Sequence, residues 1–342
     1  PNKFQYYMTA KTENEDISES KFEPNEVVTE CTVANLQKII GNNNFEKKYI
    51  ILGITTITED ENMINPKIKL YEYNKDTNYT FQFEMEQEGF KGVITIIQIL
   101  YNLNNLSNLV LIGEGNKIFL YQFKLDEKLK FIMERISYAN IDNKNLSINN
   151  KLININKYKL LLSGDITDSF NYICIRPNVN MNNPNIIDMH LESKDNNHIK
   201  ITSCDFWPVH GNKKCCIVFD EENNGYIYLL ETNNSSRICD FKMNKTINEI
   251  RTRGQNDQKN FVYYSATNGS VGLLLHIDND IYEKLNYLCE FIYFHFPFNS
   301  GVNPLLFYSI NYVNDNNNNF QKAKGRFIDK NILDIFLKLS DK

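Results

Sequence analysis

No apolar run in this chain reaches the ~18 residues that a membrane-spanning helix requires, and no signal-peptide pattern stands at this terminus. Seven cysteines, an odd number with no CxxC pair, argue for reduced thiols rather than a disulfide framework, which points to nucleus or cytoplasm. Cys215 and Cys216 are adjacent on a predicted strand, so their side chains leave opposite faces and cannot share one metal; they read as core residues. A basic excess is lacking as well. With 37 Lys and Arg against 42 Asp and Glu, net charge −5 and pI near 5.7, the chain does not grip phosphate backbones by bulk electrostatics. The short basic spots Lys47–Lys48, Lys213–Lys214 and Arg251/Arg253 read as solvated loop residues. His190, His198, His210, His276 and His295 show no HExxH or other ligand spacing, and His295, between Phe294 and Phe296, reads as partly buried. There is no GxSxG elbow, P-loop, or GxGxxG opening a helix. The sole tryptophan, Trp207, reads as a core residue at a strand end.

What the sequence does hold is β-structure. At 342 residues, 42% hydrophobic and 13% aromatic, the composition supports a large core. Residues 159–175 read as a hairpin whose second strand is apolar on both faces, with Phe170, Tyr172 and Cys174 on one side and Ile173 and Ile175 on the other. The same unit recurs at 49–54 with 67–73, 109–112 with 117–123, 215–219 with 226–230, and 261–265 with 271–275. Second strands carry Tyr71, Tyr121, Tyr172 and Tyr228, spaced 50, 51 and 56 residues apart. That interval is close to the ~40–50 residues of one propeller blade, and sheets buried on both faces at such a repeat predict a β-propeller.

The predicted organisation is all-β with a small α appendage. Residues 1–25 form an irregular lead-in, 26–277 the blades, and 278–342 a helical C-terminal region with a disordered Asn-rich insertion at 314–319. The start at Pro1 and the polar opening suggest a piece of a longer protein. Strands are expected at 26–34, 93–100 and 129–136, a strand pair at 187–191 and 199–206, and two strands at 238–243 and 247–251 leading into the last hairpin. A helix is predicted from an Asp278 or Asp280 cap to about Phe296, with Ile281, Leu285, Leu288 and Ile292 on one face. A second helix is predicted from Asp329, with Ile332, Leu333, Phe336 and Leu339 aligned. Asp165 and Asp220, at equivalent hairpin turns, read as acids that bond neighbouring backbone amides rather than as catalytic groups. No nucleophile, base and oxyanion set assembles; no cofactor or metal is called for.

Several short segments, in order, carry a resemblance. They are Gly164-Asp165-Ile166 with Ser169, Asn268-Gly269-Ser270 with Val271-Gly272, Gly301-Val302-Asn303-Pro304, and Phe327-Ile328-Asp329. From Phe22 to the end the chain resembles the C-terminal region of the cleavage and polyadenylation specificity factor (CPSF) A subunit family. Phe22-Glu23-Pro24-Asn25-Glu26 is similar to the opening segment of its polyadenylation member. The chain departs from the family in having Lys330-Asn331 after the last Ile-Asp and Lys194-Asp195 in place of Arg-Asp. The resemblance implies a seven-bladed third propeller, of which about five blades are visible, and a non-enzymatic scaffold in nuclear pre-mRNA 3′-end processing. WD-repeat and zinc-finger subunits would be the partners, and RNA would be read mainly through them. It marks Gly164, Asp165, Gly269, Asn303, Pro304 and Asp329 as motif positions. A ubiquitin-ligase adaptor that binds damaged DNA or a splicing subunit is the alternative within the family, and a propeller-fold hydrolase the alternative outside it.

Overall fold

The computed structural model describes residues 7–11, 16–40, 43–57, 64–74, 80–101, 103, 106–141, 147–155, 158–167, 169–177, 187–195, 197–207, 214–243, 245–253, 261–295, 311–313, 320–322, 328, 333–334 and 336–338. Where an irregular lead-in was expected, β1 (Tyr7–Lys11) and β2 (Asp16–Lys21) pair as an antiparallel hairpin. Four four-stranded antiparallel sheets follow, each in simple chain order. The first is β3 (Glu26–Ile40), β4 (Asn43–Ile57), β5 (Ile64–Asn74) and β6 (Thr80–Gln87); the second is β7 (Ile94–Leu100), β8 (Leu109–Glu114), β9 (Lys117–Leu125) and β10 (Phe131–Asn140). The third is β11 (Ser147–Ile155), β12 (Tyr158–Asp165), β13 (Ser169–Pro177) and β14 (Ile187–Lys194); the fourth is β15 (Ile201–Trp207), β16 (Lys214–Asp220), β17 (Asn224–Glu231) and β18 (Asn234–Lys242). A three-stranded sheet closes the series: β19 (Ile247–Arg253), β20 (Phe261–Ala266) and β21 (Val271–Leu275). After it come α1 (Asn279–His295) and a short pair, β22 (Asn311–Val313) and β23 (Phe320–Lys322). The fold is therefore all-β and propeller-like with a small helical appendage, and all five expected hairpins are the second and third strands of successive sheets.

Burial within a blade follows its sequence. Second strands such as β8 (LVLIGE), β12 (YKLLLSGD) and β16 (KCCIVFD) are continuous apolar runs and are covered on both faces. The outer strands β10, β14 and β18 mix buried and exposed positions, as edge strands with one wet side do. Alternation then divides one sheet between two cores. Val110, Ile112 and Phe123 of the second sheet pack with Ile51, Ile68 and Leu70 of the first, whereas Leu109, Leu111 and Leu120 pack with Leu161, Ile173 and Ile175 of the third. Fully buried side chains of this size each contribute about 1.5–3 kcal/mol, so these face-to-face contacts hold consecutive blades together. Ile217, Phe219, Phe241, Ile250 and Val262 do the same for the fourth and fifth sheets.

Two compact units partition these elements: Pro1–Thr167 with Asn171–Leu191, and Asp168–Phe170 with Glu192–Lys342. One strand assignment from sequence changes. Residues 187–191 and 199–206 do not pair, because β14 closes the third sheet and β15 opens the fourth; the expected strands at 238–243 and 247–251 fall in β18, the outer strand of the fourth sheet, and in β19, which pairs with the last hairpin. Glycine is scarce, 14 in all, and Asn takes many of the left-handed turn positions: Asn25 (φ 73), Asn108 (58), Asn223 (69) and Asn233 (65). At the start of α1 the Tyr282 N–H donates to the Asp278 carbonyl at 2.9 Å, which makes Asp278 the cap. Cys289 and Ile292 are buried against Leu288, Ile328 and Leu333, but Ile281 is exposed, so only the C-terminal half of the predicted stripe is covered. His295 is exposed rather than partly buried; its ring stacks on Phe291 with centroids 4.1 Å apart. Of the second helix, 333–334 and 336–338 are helical; the remainder and the 314–319 insertion lie outside the described residues.

Candidate functional site

The resemblance segment at Phe22 builds a closed acid–base centre in the first sheet. Phe22 is buried against Leu52, Ile54 and Tyr71, and the chain turns through Pro24 and Asn25 into β3. The Glu26 N–H donates to the Glu23 carbonyl (3.1 Å), and the Glu23 N–H returns a bond to Glu26 Oε2 (3.0 Å). Lys67 and Lys69 are two apart on β5 and so share a face. They bring their Nζ atoms to 2.6 Å and 2.8 Å from Glu26 Oε1. Glu86 stands 3.4 Å and 3.6 Å from the same two ammonium groups, so two acids face two lysines. Burial pushes the Glu26 carboxyl up, but the hydrogen bonds from Lys67 and Lys69 outweigh it and hold the group below its ordinary value. Lys67 is the mirror case: burial pulls it down, and Glu26 lifts it above the usual lysine value.

A second centre gathers on Asp195, which follows β14 and is 6% exposed. Its Oδ2 accepts from Ser169 Oγ (2.7 Å) and the Tyr228 hydroxyl (3.0 Å), and Oδ1 from Asn197 Nδ2 (2.7 Å). Phe170 meets the Tyr228 ring edge-on at 4.9 Å. Burial, then the Asp195 charge, pushes the Tyr228 phenol up. A hydroxyl, an acid and a phenol are thus within hydrogen-bonding distance, yet Ser169 is wholly buried and Tyr228 1% exposed, so no substrate reaches them. The arrangement is a clamp, with its acceptors filled from within.

The turn acids are occupied in the same way. Asp165 Oδ1 accepts from the Thr167 N–H and hydroxyl, each at 2.6 Å. Asp220 accepts from the Asn224 N–H (2.7 Å), its Nδ2 (2.8 Å) and the Tyr226 hydroxyl (2.9 Å). Gly164 is buried beside a one-residue bulge in β11, where its partner is Asn149. Gly269 (φ 79) turns the β20–β21 hairpin, its N–H donating to Ala266 O at 2.9 Å. Asn303, Pro304 and Asp329 lie outside the described residues. Gly164 and Asp165 are chain neighbours at the end of β12. Sequence reading missed Lys67 and Lys69; their signal was a pair of lysines two apart inside a strand, KIKLYEY, that is otherwise apolar but for Glu72. It also missed the convergence of Ser169 and Tyr228 on Asp195, which sequence separation conceals. Among the described residues, no group of three or more His, Cys, Asp or Glu is placed to hold a metal ion.

The chain finds no match among curated proteins. The model of one family does match, over residues 7–338, and covers every blade as well as the helical appendage. By its fold, and by that match across nearly its whole length, the chain belongs to the CPSF A subunit region family.

Proposed function

We propose that this chain is a non-enzymatic scaffold in nuclear pre-mRNA 3′-end cleavage and polyadenylation, its blades and helical tail serving protein–protein assembly. The observation that carries this reading is the family match over residues 7–338. Supporting it, the buried acids and hydroxyls of the blade corners are spent on one another, as at Glu26 and Asp195, which suits a rigid platform better than a reaction centre. WD-repeat and zinc-finger subunits of the complex are the proposed partners, with recognition of the polyadenylation signal left largely to them. Affinity purification of the tagged protein from nuclei, with mass spectrometry, tests the assignment. Co-purification of an endonuclease subunit, a zinc-finger subunit and poly(A) polymerase is expected. Recovery of a cullin or of branch-site splicing proteins in their place overturns it.

A further inference from the structure

Asparagine followed by glycine occurs twice in this chain, at Asn224-Gly225 and Asn268-Gly269. Such a step holds a nucleophile beside an electrophile: the glycine backbone nitrogen stands close to the asparagine side-chain carbonyl carbon, and without a Cβ on the glycine the approach is unhindered. Their surroundings decide which of the two reacts. Asn224 opens β17 and is 6% exposed, and its N–H and Nδ2 donate to the two carboxylate oxygens of Asp220 at 2.7 Å and 2.8 Å. Gly225 pairs with Phe219 on one side and Phe241 on the other, and both rings crowd its Cα. Attack at Asn224 requires the fourth sheet to open.

Asn268 and Gly269 are exposed in the β20–β21 turn. The Asn268 side-chain oxygen Oδ1 accepts twice from Ser270, from its N–H (3.1 Å) and from its hydroxyl (2.7 Å). Lys245 Nζ donates in turn to Ser270 Oγ at 2.8 Å and lies 5.2 Å from the Tyr264 ring, which holds the ammonium at the turn. Donors thus already point at the oxygen on which negative charge develops when the side-chain carbon is attacked. A Cβ on Gly269 would meet nothing within 4 Å, so the nucleophile's side is open. One backbone bond restrains that nitrogen, from the Gly269 N–H to Ala266 O at 2.9 Å, and it lies at the end of a hairpin where such bonds open most readily.

We propose that Asn268 is a site of spontaneous deamidation, promoted by Ser270 and Lys245, and that the turn retains the aspartyl product. The Gly269 nitrogen gives up its proton to base and bonds to Asn268 Cγ; the Cγ–Nδ2 bond breaks, and Nδ2 takes a proton and leaves as ammonia. The five-membered succinimide so formed adds one water. Cleavage of its N–Cγ bond leaves an aspartyl residue, and cleavage of its bond to the main-chain carbonyl carbon leaves an isoaspartyl one. The aspartyl carboxylate accepts the same two Ser270 bonds, now charge-assisted, with Lys245 as its counter-charge. The isoaspartyl form routes the main chain through the side chain, which lengthens the turn and breaks its pairing. None of this chemistry depends on which complex the protein joins.

Incubation of the whole chain in mildly alkaline buffer, followed by peptide mass spectrometry with chromatographic separation of the amide, aspartyl and isoaspartyl forms, tests it. In the native protein the peptide holding Asn268 is expected to convert, and the one holding Asn224 at least about 100-fold more slowly, since only opening of a whole sheet frees it. In urea the two rates should come within about tenfold of each other, because only local sequence then distinguishes them. Lys245→Gln is expected to slow native conversion at Asn268 about 1.5- to 5-fold, the effect of one exposed charge, and to leave the rate in urea unchanged. Asn268→Asp, which installs the product, should melt no lower than the parent by circular dichroism. Persistence of the amide at Asn268 in native protein while the urea sample converts overturns the proposal. So does native conversion of Asn224 at the same rate, an unchanged native rate in Lys245→Gln, or a lower melting temperature in Asn268→Asp.

Discussion

Replacing Glu26 by Gln removes the charge that keeps two ammonium groups inside the first sheet, with Lys67 and Lys69 left at 7% and 8% exposure. Breaking a buried pair from one side costs up to about 3–5 kcal/mol; Glu86 still faces both lysines, so the loss should fall short of that, and a urea midpoint measured at neutral pH should read it. The pH dependence has a definite sign. Glu26 is held below its ordinary value in the folded state, so its contribution is complete above that value and is lost as pH falls through the lowered one. Lys67 is raised, so its contribution is complete below the ordinary lysine value and is lost as pH climbs through the raised one. The stability gap between parent and Glu26→Gln should therefore narrow as pH falls below the ordinary glutamate value and through the lowered one; a constant gap would show that the centre is not an ion pair. At Asp195 the matching test is Tyr228→Phe, which deletes one donor to a charged acceptor and should cost about 1.5–3 kcal/mol. Differential scanning calorimetry would read it as a lower melting temperature.

Each blade is a repeated element, and its defects repeat with it. Every first strand bulges by one residue near its start, at Thr29, Thr95, Ile148, Thr202 and Asn248. The tyrosine spacing was legible because each blade has one third strand and one such position in it. The bulges were not, since they break the period-two rule by which strands are read: Arg135 and Tyr138, or Arg237 and Asp240, either side of a bulge in β10 and β18, lie on opposite faces in any regular alternation. Close approach is likewise a matter of the folded element. A Cβ on Gly225 would stand 2.5 Å from the Phe241 ring and 2.9 Å from Phe219, both on neighbouring strands and both buried. Gly225→Ala is expected to cost about 1–3 kcal/mol through overpacking, visible as a shifted denaturation midpoint. Gly269 has open space around it but a φ of 79. Gly269→Ala should therefore be strained and Gly269→Asn tolerated, as this chain already uses Asn at such angles.

At the level of the whole molecule, the seven cysteines are free and unevenly accessible. Cys31 is exposed and Cys239 partly so, while Cys174, Cys204, Cys215, Cys216 and Cys289 are buried. Burial, and then neighbouring groups including Asp195, push the Cys216 thiol up. Alkylation of the native protein followed by peptide mass mapping should label Cys31 first, and the five buried thiols only after denaturation. Early labelling of Cys216 would mean that the fourth sheet opens locally.

Sequence by itself determined the repeat: five apolar hairpins at blade spacing, the helical turn-over near residue 278, and the order of short segments that placed the chain beside its family. Those features are local, written in alternation and turn residues, and a strand's burial on both faces shows directly in an unbroken apolar run such as LVLIG. Tertiary structure alone decided which strand belonged to which sheet, as with β14 and β15, and which polar groups found one another. Glu26 and Lys69 are 43 residues apart, Ser169 and Asp195 26, and Tyr228 and Asp195 33. Neither strand alternation nor the blade repeat pairs positions at these separations; partners are chosen when sheets close and an unpaired buried charge becomes too costly to keep.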